Sequence, residues 1–239
     1  MAIHLKKIGL IGGLGPEATV DYYKALIDSF KQENEGRLDY PEMVIYSVNM
    51  EHFIGLVRKG DYTNATAYLA DKLQALERSG VDFLALTANT PHLFFDELQA
   101  AVKLPMISIV EAAARYAVAK GIKRAGLMGT SFTMSAGFFQ EVFARYGVEV
   151  VIPSEEDRNY INEKLFTEIE LGVFKPATRG GLVDVIARMK AAQGIDGMIM
   201  GCTELPLILT DSSYHGVHSL NTTQIHVAEL VAACKGGSF

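Results

Sequence analysis

The sequence has little of what several protein classes need. Cysteine occurs only twice in 239 residues, too few for a disulfide framework, and we expect a reducing cytoplasm. Lysine and arginine number 22 against 28 aspartates and glutamates, which argues against a nucleic-acid-binding protein. No apolar run reaches the roughly 18 residues of a membrane span, and no signal peptide is visible.

Metal and cofactor signals are also missing from the sequence. The six histidines and two cysteines show no metal-ligand spacing. Neither a dinucleotide-binding glycine pattern nor a P-loop follows any predicted strand. We therefore expect no metal, no cofactor, no nucleic acid and no membrane among the partners of this chain.

What is present is an α/β pattern. Short apolar runs alternate with helical periodicity, which indicates parallel sheets. The predicted strands are residues 8–11, 43–48, 83–86, 106–109, 125–128, 197–200 and 217–220. The predicted helices are residues 16–30, 64–78, 91–102, about 110–119, 135–146, 154–171, 177–192 and 222–234.

Two segments of the chain are repeated at similar offsets. Gly80–Thr90 resembles Gly194–Glu204, an offset of 114 (194 minus 80). Lys7–Gly13 resembles Arg124–Thr130, an offset of 117 (124 minus 7). The sequence therefore predicts two pseudo-symmetric α/β domains, made of residues 1–104 with 208–239 and of residues 105–207.

Cys202 is the leading candidate for chemistry. It follows a buried strand, with Gly201 before it and Thr203 and Glu204 after it. A cysteine at such a strand end is well placed to act as a thiolate, whereas a free cysteine is more often inert in a core. The offset of 114 places Ala88 at the equivalent position, so one side has a thiol and the other a methyl group.

Three strand-to-helix turns are candidate anion sites. Gly13 lies in the glycine-rich turn 12–16, where backbone N–H groups can face an anion or the turn can simply require a positive φ. Asn89 and Thr90 can donate to a carboxylate, and Thr90 also suits a helix cap before a proline. His92 is more typical of a surface residue than of a proton carrier.

The turn after the strand 125–128 offers two more hydroxyl groups. Thr130 and Thr133 are suited to hold a carboxylate or to cap the helix that follows. We expect a bound anion to contact Asn89 or Thr90 in one half and Thr130, Thr133 or Thr203 in the other.

Four motifs together resemble the aspartate/glutamate racemase superfamily, the cofactor-independent amino-acid racemases. The motifs are Ile8–Thr19, Asn89–His92, Gly201–Glu204 and Thr222–His226, which together look like the aspartate racemase branch. The resemblance covers essentially the whole chain. It implies two α/β domains with the active site in the cleft between them, no pyridoxal phosphate, and a homodimer.

The resemblance also implies a mechanism. Two cysteines of such racemases face the substrate Cα, one removing its proton and the other delivering a proton to the opposite face. Here the first position is Ala88, which cannot carry a proton. The chain could be an engineered Cys-to-Ala variant, a natural one-base member or a protein of another activity. The other activities are a single-cysteine decarboxylase of malonate-like acids and a non-catalytic amino-acid-binding protein.

The substrate side chain is not specified by the resemblance. A basic residue is expected after the second strand, but residues 47–52 contain no arginine or lysine. Lys164 is the alternative cation, and Asn221 stands where an acidic residue is common in relatives. The sequence therefore favours an amino acid with a neutral or larger side chain as an alternative to aspartate or glutamate.

Overall fold

Parallel strands form two separate sheets in a computed structural model that describes residues 5–33 and 39–237. The chain divides into two compact units. One unit is Met1–Ser108 with His226–Phe239, and the other is Ile109–Ile225. The predicted α/β class with parallel sheets is thereby confirmed.

The first unit contains a four-stranded parallel sheet in the order β2-β1-β3-β4. Its elements are β1 Ile8–Gly12, α1 Pro16–Glu33, β2 Met43–Ser47, α2 Met50–Arg58, α3 Tyr62–Arg78, β3 Phe83–Leu86, a 3₁₀ helix Thr90–Phe94, α4 Phe95–Ala100 and β4 Met106–Ile107.

Continuous apolar strands explain why this sheet lies inside its unit. Every residue of β1 and of β3 is buried. Strands of a parallel sheet that are covered on both faces read as uninterrupted apolar runs, and IGLIG and FLAL have that pattern. The polar residues begin where the strands end, so the side chains that could bind a ligand lie at the carboxyl edge of the sheet.

The second unit contains a five-stranded sheet in the order β6-β5-β7-β9-β8. Its elements are α5 Ile109–Ala119, β5 Arg124–Met128, α6 Ser131–Ser135, α7 Phe138–Arg145, β6 Glu149–Val151, α8 Glu155–Thr167, a 3₁₀ helix Ile169–Leu171, α9 Pro176–Gln193, β7 Gly197–Met200, α10 Leu205–Ile208, β8 Ser213–Tyr214 and β9 Val217–Asn221. The last helix, α11 Thr222–Cys234, begins in this unit and continues in the first. Only the short edge strand β8 is antiparallel.

The strand registers confirm the repeat. Ile8 of β1 is paired with Phe83 of β3, and Ala125 of β5 is paired with Gly197 of β7. The two sequence offsets convert one pair into the other, because 8 plus 117 is 125 and 83 plus 114 is 197. The central two strands of both sheets therefore have the same design.

The second crossing between the units differs from the predicted boundary at residue 208. β9 pairs in parallel with β7, with His218 opposite Gly197, so the last strand belongs to the second sheet. The chain enters the first unit only within α11, at His226. The first crossing, after Ser108, lies four residues beyond the predicted 104.

A buried hydrogen-bond pair holds α11 in the first unit. His226 is fully buried, with Nε2 3.0 Å from the Ile107 carbonyl oxygen and Nδ1 2.9 Å from the Tyr22 hydroxyl. Because a carbonyl can only accept, Nε2 carries the hydrogen and Nδ1 accepts from Tyr22. The histidine of the last sequence motif thus connects α1, β4 and α11.

Local departures from the predicted elements have simple causes. The predicted helix 135–146 corresponds to α7 Phe138–Arg145, which begins later than predicted because Gly137, its cap residue, has φ +84°, and the short helix α6 before it is not predicted. The helix α2 and the short strands β6 and β8 are not predicted from the sequence. Among the described residues, no helix combines the length and apolar character needed to cross a bilayer.

Candidate active site

Cys202 lies in the turn that follows β7 and contacts a carboxylate. The side chain is 8% exposed, and its Sγ donates to Glu204 Oε2 at 3.0 Å. Thr203 Oγ1 donates to the same oxygen at 3.1 Å. A thiol, a hydroxyl and a carboxylate therefore form one buried cluster in three consecutive residues.

Burial and charge keep the Cys202 thiol protonated. Burial raises its pKa well above the ordinary range, the nearby Glu204 carboxylate raises it further, and Glu170 adds a smaller effect of the same sign. Loss of the thiol proton would place a third negative charge beside two carboxylates. At neutral pH this group is a proton donor, and Glu204 is positioned to accept its proton.

Gly201 is required where β7 ends. A Cβ at this position would lie 2.7 Å from Leu127 Cδ1 and 2.9 Å from the Met128 carbonyl oxygen. The Gly201 N–H donates to that carbonyl, which continues the ladder between β5 and β7 by one residue. The glycine before Cys202 thus allows the end of β7 to approach β5 closely.

The neighbouring turn after β5 holds its hydroxyls by internal hydrogen bonds. Thr130 Oγ1 accepts from the Thr133 N–H at 3.2 Å, and the two hydroxyl oxygens are 3.1 Å apart. The predicted capping is therefore present. The Ser131 N–H donates to Asn162 Oδ1 of α8 at 2.8 Å. Substrate binding by Thr130 and Thr133 stays a prediction.

A third hydroxyl lies at the same edge of this sheet. Thr222, the first residue of α11, donates from Oγ1 to the Met200 carbonyl at 2.8 Å. Asn221 Oδ1 accepts from the Gln224 N–H and caps the helix. Hydroxyl groups therefore follow the ends of β5, β7 and β9, and the Cys202 thiol and Glu204 carboxylate follow the end of β7.

The equivalent turn of the first unit contains neutral groups. Ala88 and Asn89 are each 4% exposed. His92 is also buried, so the expectation of a surface histidine is wrong. Its Nδ1 lies 3.0 Å from the Ala88 carbonyl, its ring stacks on Phe95, and burial lowers its pKa to about 4.

Thr90 begins the 3₁₀ helix rather than capping it. Asn89 occupies the cap position, and no side-chain hydrogen bond caps this helix. Pro91 lies within the first turn, as predicted, where its missing N–H costs little. The cap is one residue earlier than predicted because the chain forms a 3₁₀ turn before α4. Ligand contact by Asn89 and Thr90 stays a prediction.

The hydrogen bonds of the glycine-rich turn after β1 are made within the protein. Gly13 has φ +84°, and its N–H donates to Thr19 Oγ1 at 2.8 Å. A Cβ on Gly13 would lie 2.6 Å from the Val48 carbonyl oxygen. Thr87 Oγ1 donates to the Ile11 carbonyl at 3.1 Å. These contacts support the tight-turn interpretation of Gly13, whose binding role stays a prediction.

Lys164, the predicted cation, is already surrounded by carboxylates. Its Nζ is 3.0 Å from Glu163 and 3.3 Å from Glu168. Lys175 also contacts Glu168 at 3.3 Å, and the Thr178 hydroxyl donates to the same carboxylate. An ammonium group held in this way is a weak clamp for a substrate carboxylate, because its charge is already compensated.

Two further groups complete the inventory of candidate residues. Cys234 is a free, fully buried cysteine whose pKa burial raises to about 12, which fits the predicted structural role. Within residues 5–33 and 39–237, no group of three histidine, cysteine or acidic side chains could hold a metal ion. Glu170, in the 3₁₀ helix Ile169–Leu171, is the charged residue near the end of α8 that the sequence analysis did not single out, since one acidic residue alone forms no motif.

Comparison with known proteins identifies one family. The Asp/Glu/Hydantoin racemase family matches residues 11–230. The broad specificity amino-acid racemase RacX of Bacillus subtilis (strain 168) is 33% identical over 147 residues, 60% of this chain and 63% of that protein. The matched region is thus less than two thirds of that relative's length.

Solved structures give a similar result over nearly the whole chain. An aspartate racemase homologue from Pyrococcus horikoshii OT3 has a TM-score of 0.85 and 36% identity, covering 96% of this chain and 99% of that one. The aspartate racemase of Picrophilus torridus has a TM-score of 0.76 at 21% identity, covering 98% and 96%, and shows the shared fold alone.

Proposed function

Since this chain belongs to the Asp/Glu/Hydantoin racemase family, we propose that it is an amino-acid racemase that moves protons at the substrate Cα with a cysteine and without a cofactor. The observation that carries the proposal is the hydrogen-bonded pair of Cys202 and Glu204 at the end of β7. A thiol next to a carboxylate can alternate between acid and base, as proton exchange at carbon requires.

The proposed base step begins at the thiol. Cys202 gives its proton to Glu204, and the thiolate then removes the proton from Cα. The electron pair of the broken C–H bond is delocalised into the substrate carboxylate, which becomes more negative. Hydrogen-bond donors at that carboxylate stabilise the developing charge. We assign this role to Asn89 and Thr90 in the first unit.

In the second unit, the donors proposed for the substrate carboxylate are Thr130, Thr133 and Thr203. Thr203 already donates to Glu204, so a substrate carboxylate would compete for that hydroxyl hydrogen. Thr130 and Thr133 share a hydroxyl contact, which leaves one hydroxyl hydrogen of the pair to be directed to a ligand. The reverse step returns the proton from the Cys202 thiol to Cα.

With Ala88 at the first position, only one face of the substrate Cα has an acid–base group in the proposed reaction. A methyl group can neither remove nor deliver a proton, and the Thr87 hydroxyl donates to the main chain. Exchange of the Cα proton on the face of Cys202 is therefore expected to be faster than full racemisation. This difference distinguishes a one-base enzyme from one with two thiols.

Cα–H exchange in heavy water tests the proposal. Each enantiomer of a series of amino acids is incubated with the protein, and deuterium incorporation is followed by mass spectrometry. Cys202→Ala is expected to lower exchange by about 10²–10⁴-fold, the usual contribution of one acid–base group. Cys234→Ala is the matched control and keeps the parent rate. Equal exchange by Cys202→Ala and parent would exclude the cysteine mechanism.

A second candidate function rests on the same thiol. A protonated cysteine without a partner thiol at position 88 also suits a lyase that protonates a carbanion on one face after loss of CO₂. Release of CO₂ from substituted malonates with no Cα exchange of any amino acid would favour the decarboxylase. Exchange of an amino acid without CO₂ release favours the racemase.

A further inference from the structure

One buried hydroxyl group at the carboxyl edge of the second sheet differs from its neighbours. Six polar side chains are more than nine-tenths buried in the segments that follow β5, β7 and β9, namely Thr133, Cys202, Thr203, Glu204, Thr222 and Thr223. The first five are hydrogen-bonded to a neighbouring side chain or to the main chain. The buried Oγ1 of Thr223 has no hydrogen-bond partner among the residues that the structure describes.

The N-terminus of α11, where Thr223 is the second residue, lies beside the strand that leads to Cys202. Met200 of β7 is paired with Asn221 of β9, and the Thr222 hydroxyl donates to the Met200 carbonyl at 2.8 Å. Cys202 follows Met200 by two residues. Because the Cα–Cβ bonds of a helix are tilted towards its N-terminus, the Thr223 side chain is directed to the end of α11 that follows β9. This hydroxyl is therefore at the same sheet edge as Cys202.

Helix capping does not explain a threonine at this position. The helix α3 begins with the same pattern as α11, in which the residue before the helix accepts from the N–H of the third helical residue. The second residue of both helices is threonine, Thr63 in α3 and Thr223 in α11. Thr63 is exposed, so water can satisfy its hydroxyl, whereas Thr223 is 1% exposed. The cap of α11 is thus complete without the Thr223 hydroxyl.

The surroundings of this hydroxyl favour an anion as its partner. The first N–H groups of a helix have no acceptors within the helix, and they form the positive end of its dipole. Asn221 Oδ1 accepts one of these hydrogens, from Gln224. A threonine hydroxyl can add a further donor at the same end. A carboxylate is the anionic group that every amino-acid substrate carries.

On the basis of the proposed racemase function, we propose that the Thr223 hydroxyl binds a carboxylate of the amino-acid substrate at the N-terminus of α11. The bound ligand supplies the acceptor that this buried hydroxyl lacks in the protein alone. The α-carboxylate and the side-chain carboxylate of an acidic amino acid offer the same acceptor atoms, so matched ligands are needed to tell them apart.

Three amino acids of nearly equal size test the site and distinguish the two carboxylates. L-glutamate has both, L-glutamine has only the α-carboxylate, and L-isoglutamine has only the side-chain carboxylate. Dissociation constants are measured by isothermal titration calorimetry on the parent protein and on Thr223→Val, which replaces the hydroxyl by a methyl group. We expect Kd to rise by about 10–100-fold, the contribution of a hydrogen bond to a charged group, for glutamate and for the single-carboxylate ligand that shares its bound group.

The melting temperature of the ligand-free protein separates a binding role from a structural one. Thr223→Val should keep or raise this temperature, because it removes a buried hydroxyl that has no partner. Thr222→Val should lower it by about 3–8 °C, because the Met200 carbonyl loses this donor. Thr63→Val, at the equivalent exposed position of α3, is the matched control and keeps the parent Kd and melting temperature.

A second substitution at position 223 shows whether the hydroxyl itself is responsible. Thr223→Ser keeps the hydroxyl and is expected to keep an affinity close to that of the parent. Parent-like affinity of Thr223→Val for all three ligands overturns the proposal. A melting temperature that falls in Thr223→Val and is kept in Thr223→Ser also overturns it, because the hydroxyl would then have a partner within the protein. If Thr223→Val does not fold, Thr223→Ala provides the same measurement of Kd.

Failure of this site is distinguishable from failure of the proposed function. Cα exchange by the parent, with unchanged ligand affinity in Thr223→Val, overturns the site alone. No binding of the three ligands and no Cα exchange of any amino acid by the parent overturns both proposals. If the parent exchanges another amino acid and binds none of the three, the KM of that amino acid is compared in parent and Thr223→Val, and an unchanged KM overturns the site.

Discussion

The turns after β3 and β7 occupy equivalent places in two sheets of the same design, yet they hold different chemistry. In the first unit the turn is Thr87-Ala88-Asn89-Thr90, and its hydroxyl at Thr87 donates to the main chain. In the second unit it is Gly201-Cys202-Thr203-Glu204, and its side chains donate to a carboxylate. The shared register thus preserves the position of the turn without preserving its acid–base groups.

The difference between the two turns is a difference in charge. In the first unit the nearby titratable group is His92, whose pKa falls from 6.5 to about 4 because burial disfavours its charged form. Such a histidine contributes stability above pH 6.5 that is lost as the pH falls towards 4. In the second unit the carboxylates have the opposite effect on their neighbour and hold the proton on Cys202. In the first turn His92 is therefore kept neutral, and in the second turn the Cys202 thiol is kept protonated.

Placing a thiol in the first turn is expected to have the largest effect, because it would remove the difference in acid–base groups between the two turns. Ala88→Cys is expected to raise the rate of racemisation by about 10²-fold relative to Cα exchange, because each face would then have an acid–base group. Chiral chromatography measures racemisation, and mass spectrometry measures exchange. Ala88→Ser, which adds a hydroxyl of similar size, is the control and gives little gain. No gain from the cysteine would mean that position 88 does not face the substrate.

The turns after β1 and β5 allow a comparison of backbone requirements. Position 13 corresponds to Thr130 (13 plus 117), but Gly13 has φ +84° and Thr130 has φ −63°. Gly13→Ala is expected to cost about 2–4 kcal/mol, from the left-handed φ and the clash with the Val48 carbonyl. Chemical denaturation measures the loss of unfolding free energy.

Two controls separate strain from crowding in that experiment. Gly60 also has a positive φ, but a Cβ there would meet open space, so Gly60→Ala should cost only about 1 kcal/mol. Thr130→Gly should cost a few tenths of a kcal/mol, the loss of a threonine cap to glycine. Equal losses at positions 13 and 60 would show that the close approach of Val48 is not important.

The smallest expected effect is a change in titration of the thiol. Glu204→Gln removes a negative charge and a hydrogen-bond acceptor, so the pKa of Cys202 should fall, although burial, the larger cause, keeps it raised. The pH dependence of alkylation by a small reagent, measured in a Cys234→Ala background, reports this change. A pKa that is unchanged or higher in Glu204→Gln would contradict the proposed role of the carboxylate.

Much of the fold follows from local patterns. The strands at residues 8–12, 83–86 and 197–200 are uninterrupted apolar runs between turn residues, and burial of these runs in parallel sheets leaves few alternatives. The sequence did not predict the sheet to which the last strand belongs, and β9 lies between β7 and β8 in the second sheet. Its pairing with β7 depends on contacts between residues 21 positions apart in the chain (219 minus 198), such as Met198 with Ser219.

A candidate residue was predictable where a reactive side chain directly follows a predicted strand, as Cys202 does. The ion pairs of Lys164 with Glu163 and Glu168 were not predictable, because they depend on how side chains meet at the end of α8. Substrate binding by Lys164 stays a prediction. The burial of His92 was missed because its ring stacks on Phe95, the first residue of α4, a contact that no local pattern indicates. The homodimer, the cytoplasmic location and the shared cleft stay predictions.

By itself, the sequence determined the two α/β repeats, their offsets and the single cysteine that follows a strand, because these depend on periodicity and on residues adjacent in the chain. Only the tertiary structure decided which groups act on that cysteine. Burial raises the pKa of the Cys202 thiol, the charges of Glu204 and Glu170 add to that rise, and the Gly13 N–H donates to Thr19 Oγ1, because burial, charges and hydrogen bonds act through space between residues that no local pattern connects.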